Sequence, residues 1–237
     1  MSSEETDVRD EKPQFVLPLV VRMERDAPPT RTDALETAAR AVMEILTDDR
    51  SLGEGEWAQA MTDWEDARIR KVVRRARGAE WRRAGTLPGI AVTGAEAEVR
   101  VFPPVPLDGW PKELAKLQVS GTDLDDPAEP GPVPDGAVVL WINPGVDMSA
   151  GKTMAQAGHG AQLLWWAMPD ADRKAWQEAG FPLAVRTATP ERWAALAASG
   201  SGLPVVRDAG FTEIAPGKTV VSEGSHRFAP HLRLRQA

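Results

Sequence analysis

Apolar residues along this chain follow two rhythms, and the switches between them mark the elements. A near-continuous apolar run at 15–22 (FVLPLVVR) predicts a strand. Over 32–46, Leu35, Ala38, Ala39, Val42 and Ile45 recur at helical spacing and predict an amphipathic helix. Residues 53–68 predict a second helix, with Trp57, Met61 and Trp64 on one face. A strand at 69–75, a short helix at 79–84 and strands at 90–93 and 98–102 follow; prolines at 103–106 stop the last. A short helix is expected at 110–117. The stretch 121–136, GTDLDDPAEPGPVPDG, has four prolines, three glycines and no apolar period, so it reads as a linker.

The same rhythms return after it. A strand-like run at 137–142 (AVVLWI) is closed by Asn143-Pro144-Gly145, because Pro144 offers no ladder donor. A helix is expected over 149–167, with Ser149 as its cap and Met154, Ala161, Leu164 and Trp165 turned to a core. A second helix at 170–179 ends on Gly180. Then come a strand at 183–187, a helix at 190–198 opened by Pro190, and strands at 203–207 and 218–222.

Both halves read strand, helix, helix, strand, helix, strand, strand, the order expected of an internal duplication. The stretch VVRRARGAEWRRAG at 72–85 matches AVRTATPERWAALA at 184–197, with Trp81 on Trp193. Chance likeness between two α/β halves is the alternative. A gapless match of the long helices sets Asp33 against Lys152, Thr37 against Gln156 and Arg40 against His159. The late strands set Gly94 against Asp208 and Glu98 against Thr212.

Composition narrows the function classes. With 42% hydrophobic residues the chain can build a sizeable core. It has no cysteine, which excludes disulfides and thiolate metal sites and suits a cytoplasmic setting. No apolar run reaches the roughly 18 residues of a membrane span, so no membrane partner is expected. Residues 1–13 are acidic and polar and read as a disordered tail rather than a signal peptide.

Net charge is −7, against a generic nucleic-acid binder. Yet residues 68–83 hold eight cations and one anion. Arg68, Arg70, Lys71, Arg74, Arg75 and Arg77 fit either a phosphate-holding stripe or one solvated strand face.

The candidate chemistry sits in two segments. In MSAGKTMAQAGHG, at 148–160, Lys152, Gln156 and His159 lie at i, i+4 and i+7 on one helical face. That face stands at the C-terminal end of a strand, where open α/β sheets bind ligands. The second segment is RDAGFTEIAPGKT, at 207–219. Together the two resemble the type II peptidyl-tRNA hydrolase family of archaea and eukaryotes. The matching residues are Gly151, Lys152, Gln156 and His159, then Asp208, Ala209, Gly210, Thr212, Glu213, Gly217, Thr219 and Val220. The likeness spans residues 136–224. It departs in three places. Asn143 and Gly145 stand where the family has an arginine and an aspartate, the stretch from Thr212 to Thr219 is one residue short, and Gly224-Ser225 replaces a Gly-Pro.

The resemblance implies hydrolysis of the ester that joins a peptide to the terminal ribose of tRNA, with no metal and no cofactor. Only three histidines exist and two lie in the tail, a poor basis for a zinc site. The catalytic candidates are Lys152, Asp208 and Thr212. Asp208 would orient or deprotonate water, or serve only as a turn carboxylate. Lys152 would pair with it, stabilise the oxyanion or hold phosphate. Gln156, His159 and Thr219 would hold the ribose or the ester carbonyl, with Gly210 and Gly217 allowing close backbone approach. The family is commonly homodimeric. The expected fold is therefore α/β, two tandem three-layer α/β/α units, each with a four-stranded mixed sheet, forming an internal pseudo-dimer in a monomer. A degenerate domain at 14–120 and the linker 121–136 would precede the site-bearing domain at 137–237, which ends in a basic tail. A lapsed enzyme that binds tRNA or protein, or a hydrolase or transferase acting on another small ester or amide, are the other readings.

Overall fold

The computed structural model describes residues 12–210 and 213–234. The acidic tail expected at 1–13 lies outside these except for Lys12 and Pro13, as do residues 235–237 of the basic tail. The first half runs β1 (Phe15–Arg22), α1 (Arg31–Thr47), α2 (Ala58–Asp66), β2 (Arg70–Ala76), α3 (Gly78–Ala84), β3 (Ile90–Thr93), β4 (Glu98–Val101), β5 (Val105–Pro106) and α4 (Lys112–Ala115). The second runs β6 (Val138–Ile142), α5 (Ala150–Ala167), α6 (Asp170–Glu178), β7 (Leu183–Thr187), α7 (Pro190–Leu196), β8 (Val205–Asp208) and β9 (Gly217–Glu223). The chain is thus α/β with two mixed sheets, and its described residues contain seven α-helices.

The two sheets share one topology. β1 is parallel to β2 and antiparallel to β4, which is antiparallel to β3. β6 is likewise parallel to β7 and antiparallel to β9, which is antiparallel to β8. The first sheet carries an addition that the sequence did not foretell. The proline cluster does end β4, but Val105 and Pro106 then pair with Val16 and Phe15 as the short β5. Proline is tolerated there because an edge strand can spare its N–H. The helix expected over 53–68 begins only at Ala58, since Gly53, at φ +56°, and Gly55 shape a turn before it. The helix expected at 110–117 keeps a single turn.

Strand alternation builds the layers. Leu17, Leu19 and Val21 of β1 enter the main core beside α1, while Val20 faces the other way. On that second face it meets Trp81 and Ala84 of α3 and Leu114 of α4. In the second sheet, Arg192 of α7 lies over the indole of Trp141 of β6, 4.2 Å from its centroid.

α1 and α5 pack on each other, and each also reaches the edge strand of the other sheet. Glu36 of α1 accepts from the Val185 N–H of β7 (3.1 Å) and from Arg186 (2.8 Å). This contact explains why α1 is buried well beyond the stripe its spacing predicts, with Ala34, Ala41 and Met43 also fully enclosed.

The stretch 121–136 has no regular structure, as its prolines require, but it is tied down rather than loose. Asp126 accepts from Thr32 N–H (2.8 Å) at the start of α1, and Thr122 and Leu124 are buried. No helix among the described residues is long and apolar enough to cross a membrane.

Candidate active site

α5 begins where the sequence places it. Ser149 caps it, its Oγ accepting from Lys152 N–H at 3.2 Å. Glu213, which lies between β8 and β9, is pinned to the same point, accepting from both Ser149 N–H (3.0 Å) and Ser149 Oγ (2.9 Å). This cap-to-loop staple lies between the two motifs.

Two glycines let α5 settle closely. A Cβ at Gly160 would stand 2.8 Å from Val220 Cγ1, so only glycine lets the helix lie this near β9. A Cβ at Gly158 would stand 2.8 Å from Val42 Cγ2 of α1 and 3.4 Å from Lys71 Cδ of β2. His159, between them, is held where the two halves meet.

The lysine and aspartate of the two motifs come together. Lys152 Nζ donates to Asp208 Oδ2 at 2.5 Å across 56 residues of sequence. Gln156 Nε2 donates to the same oxygen at 2.8 Å, and Thr219 Oγ1 donates to Gln156 Oε1 at 2.5 Å. Asp208 Oδ1 accepts from Gly210 N–H at 2.8 Å, and Gly210 takes the left-handed φ of +80°. Asp208 is therefore both the turn carboxylate and the partner of Lys152, one oxygen for each task. Gly217 pairs with Asp208 across β8 and β9 and fixes the strand end that carries it. Thr212 lies outside the described residues.

Lys152, Gln156 and Asp208 line a cleft of about 590 Å³ between the halves, whereas Thr219, fully buried, and Gly210 and Gly217 stand outside its lining. α5 and the end of β8 form one wall, through Lys152, Gln156, His159 and Asp208. The stretch from Glu65 to Val73 forms the other. Leu107, Val119 and Trp166, all substantially exposed, give the cleft an apolar rim.

The cationic stripe is not one surface: its first part borders the cleft and its later part is tied to residues 115–120. Arg68 and Arg70 do line the cleft. Arg74 and Arg75 are drawn into the covering of the β2 edge instead. Arg74 donates to the carbonyls of Leu117 (2.6 Å) and Ala115 (3.2 Å) and lies over Trp110. Arg75 donates to Ser120 O and the Gln118 side chain. Arg77 sits at the start of α3.

Lys71, expected on the cationic surface, is buried. Its Nζ donates to Gln162 Oε1 (2.5 Å) and Ile69 O (3.3 Å), lies 3.3 Å from His159 Nδ1, and stands 4.7 Å from the Trp64 ring centroid. Burial pushes the Lys71 amine well below the ordinary lysine range, and Glu65 partly opposes this. Burial likewise pushes His159 well below its usual value, and the Lys71 and Lys152 ammoniums push it further. The Glu65 carboxyl is raised, by burial first, with Asp66 adding and Lys71 opposing. A buried cation inside a basic strand gives no signal distinct from a solvated one, so its place could not be read from the sequence.

The matched positions of the first half are also close together, with different chemistry. A Cβ at Gly94 would strike Asp33 and Thr37, the side chains aligned with Lys152 and Gln156. Asp33 instead accepts from the N–H groups of Ala95, Glu96 and Ala97. The end of β6 is followed by a self-closed turn. Asn143 donates to Lys218 O (2.8 Å) and accepts from Gly145 N–H (2.8 Å). Compared with protein-family models, curated proteins and solved structures, the chain matches none.

Proposed function

We propose that the cleft hydrolyses the ester bond of peptidyl-tRNA, releasing peptide and free tRNA. The observation that carries this reading is the 2.5 Å contact of Lys152 with Asp208 on one cleft wall, with Gln156 beside it and Thr219 buried behind Gln156. Asp208 orients the attacking water, accepts its proton as the carbonyl is attacked, and returns that proton to the ribose oxygen as the ester C–O bond breaks. Lys152 Nζ, beside it, stabilises the developing oxyanion. Groups already in place help most here, because they need no reorganisation as charge develops. The carbonyl or ribose oxygen is held by Gln156 and His159. Arg68 and Arg70 carry the acceptor-stem phosphates, and the rim of Leu107, Val119 and Trp166 takes the apolar parts of the peptide.

In this reading the two halves are copies of one unit arranged as an internal pseudo-dimer. The common topology and the α1–α5 packing support it. The first copy covers the site and has lost its chemistry, with Asp33 used as a backbone cap. The test is release of free tRNA from purified peptidyl-tRNA. The intact chain should turn over and Lys152→Ala should not.

The self-closed Asn143 turn favours a second reading, a lapsed enzyme that binds tRNA or protein without turnover. Binding of tRNA that is insensitive to Lys152→Ala, with no hydrolysis, would select it.

A further inference from the structure

The first half of the chain reaches into the cleft with one side chain that the two motifs do not contain. Lys71 Nζ donates to Gln162 Oε1 at 2.5 Å and Ile69 O at 3.3 Å, and stands 3.3 Å from His159 Nδ1. The indole face of Trp64 lies 4.7 Å away. Two oxygen acceptors take two N–H bonds of an ammonium and leave the third facing His159 Nδ1, and an aromatic face favours the cation. The group has no salt-bridging carboxylate among the described residues, and Glu65 acts on it only through space. A buried cation of this kind is costly, and packing alone does not require it. The matched position in the other half makes the point. In the register that sets Trp81 on Trp193, Lys71 falls on Leu183, a buried leucine that serves the edge of the second sheet.

We propose that Lys71 is a positioning residue: it donates to His159 Nδ1, fixes the imidazole as the Nε2–H tautomer, and so makes Nε2–H a donor to the ligand in the cleft. A donor at Nδ1 forces that nitrogen to accept, and the ring proton must then sit on Nε2. No other protein partner of His159 exists among the described residues, so Nε2–H is left for the ligand. Gly158 makes the arrangement possible, since its missing Cβ leaves room for the Lys71 stem against α5. The charged groups acting on His159 are Lys71 from β2 and Lys152 from its own helix, both of which keep the ring neutral. Under the hydrolase reading, on which only this last step rests, Nε2–H donates to the ester carbonyl or to the departing ribose oxygen. One half of the chain thereby completes the site of the other.

The chain has three histidines, so nitrogen-15 NMR of the imidazoles in the full-length protein resolves them, with His159→Gln assigning the signal. The expected result is an Nε2–H tautomer for His159 that resists protonation well below the ordinary histidine range. Lys71→Met should give mixed tautomers and an upward shift of the His159 titration. In the tRNA-release assay the same variant should lower kcat more than it raises KM, and should move the acid limb of the pH profile. An Nδ1–H tautomer in the unaltered protein overturns the proposal, and so does a folded Lys71→Met protein with an unchanged His159 spectrum. Should Lys71→Met not fold, the tautomer of the unaltered protein decides alone. Absence of tRNA release together with the Nε2–H tautomer would remove the hydrolase reading and keep the Lys71–His159 assignment.

Discussion

At the residue scale the site rests on how one carboxylate divides its oxygens. Asp208 Oδ1 shapes the turn through Gly210 N–H, while Oδ2 receives Lys152 and Gln156. Asp208→Asn can keep the turn through its amide oxygen but cannot accept a proton from water. Turnover should fall at least about 10²-fold, and the melting temperature should fall too, because the amide nitrogen would face the Lys152 and Gln156 donors in a largely buried site. Unchanged turnover would take Asp208 out of the chemistry. His159 gives a second prediction, on pH. Its folded-state pKa lies well below the ordinary value, so as pH falls below about 6.5 the unfolded chain binds a proton that the folded chain does not. This histidine therefore costs stability as pH falls through that window, and the loss continues down to its folded pKa. Denaturant titrations from pH 7.5 to 5 should show the decline, and His159→Gln should flatten it. The spacing of Lys152, Gln156 and His159 on one helix was legible because helical geometry alone sets it. The burial of Lys71 was not, because burial is decided by α5 and Trp64, which lie far from it in sequence.

At the element scale most of the fold could be read from local periodicity. The residues of β1, α1, α5, α6 and β7 were visible within a residue or two, because each carries a clear apolar rhythm and a stop signal. The failures share a cause. β5 exists only because β1 offers it a partner, and α4 shrank to one turn where the chain must cover the β2 edge through Gln118. Both depend on contacts that no local rhythm encodes. Gly160 tests the helix–sheet approach. Replacing it with alanine gains helix propensity of roughly 1 kcal/mol. Its Cβ would also meet Val220 and Ser222, both fully buried on β9. Overpacking of this kind costs about 1–3 kcal/mol, so the clash should win and the urea midpoint of Gly160→Ala should fall. The strand β2 supports a further prediction. Arg68 and Arg70 line the cleft, whereas Arg74 and Arg75 serve the fold. Under the peptidyl-tRNA reading, Arg68→Gln with Arg70→Gln should weaken tRNA binding and lower the log–log salt slope by up to about 2. Arg74→Gln should change stability more than the slope.

At the scale of the whole molecule, the duplicated order of elements was legible and the joint between the halves was not. Order follows from local patterns, but the joint is made by residues of α1 that read as ordinary helix, such as Ala34, Ala41 and Glu36. Their burial depends on α5 and β7, more than a hundred residues away. The same holds for the proline-rich stretch, whose composition announces a tether. Its Asp125 and Asp126 instead bind the start of α1 through Arg31 N–H and Thr32. The main hydrophobic core runs without a break from Leu17 and Val73, through α1 and α5, to Val221 and Leu232. Two sheets joined by one core should lose their structure together, since opening either half exposes the inner helix of the other. Calorimetry should therefore show one transition, with calorimetric and van't Hoff enthalpies in agreement. Fluorescence provides the cross-check, since Trp64 and Trp81 report the first half and Trp141 and Trp176 the second. Single-tryptophan variants of the two groups should melt at the same temperature. Two separate transitions would mean that the halves are independent domains in loose contact. The cleft between them, with Lys71 on one wall and His159 on the other, would then have no fixed geometry on which catalysis could rest.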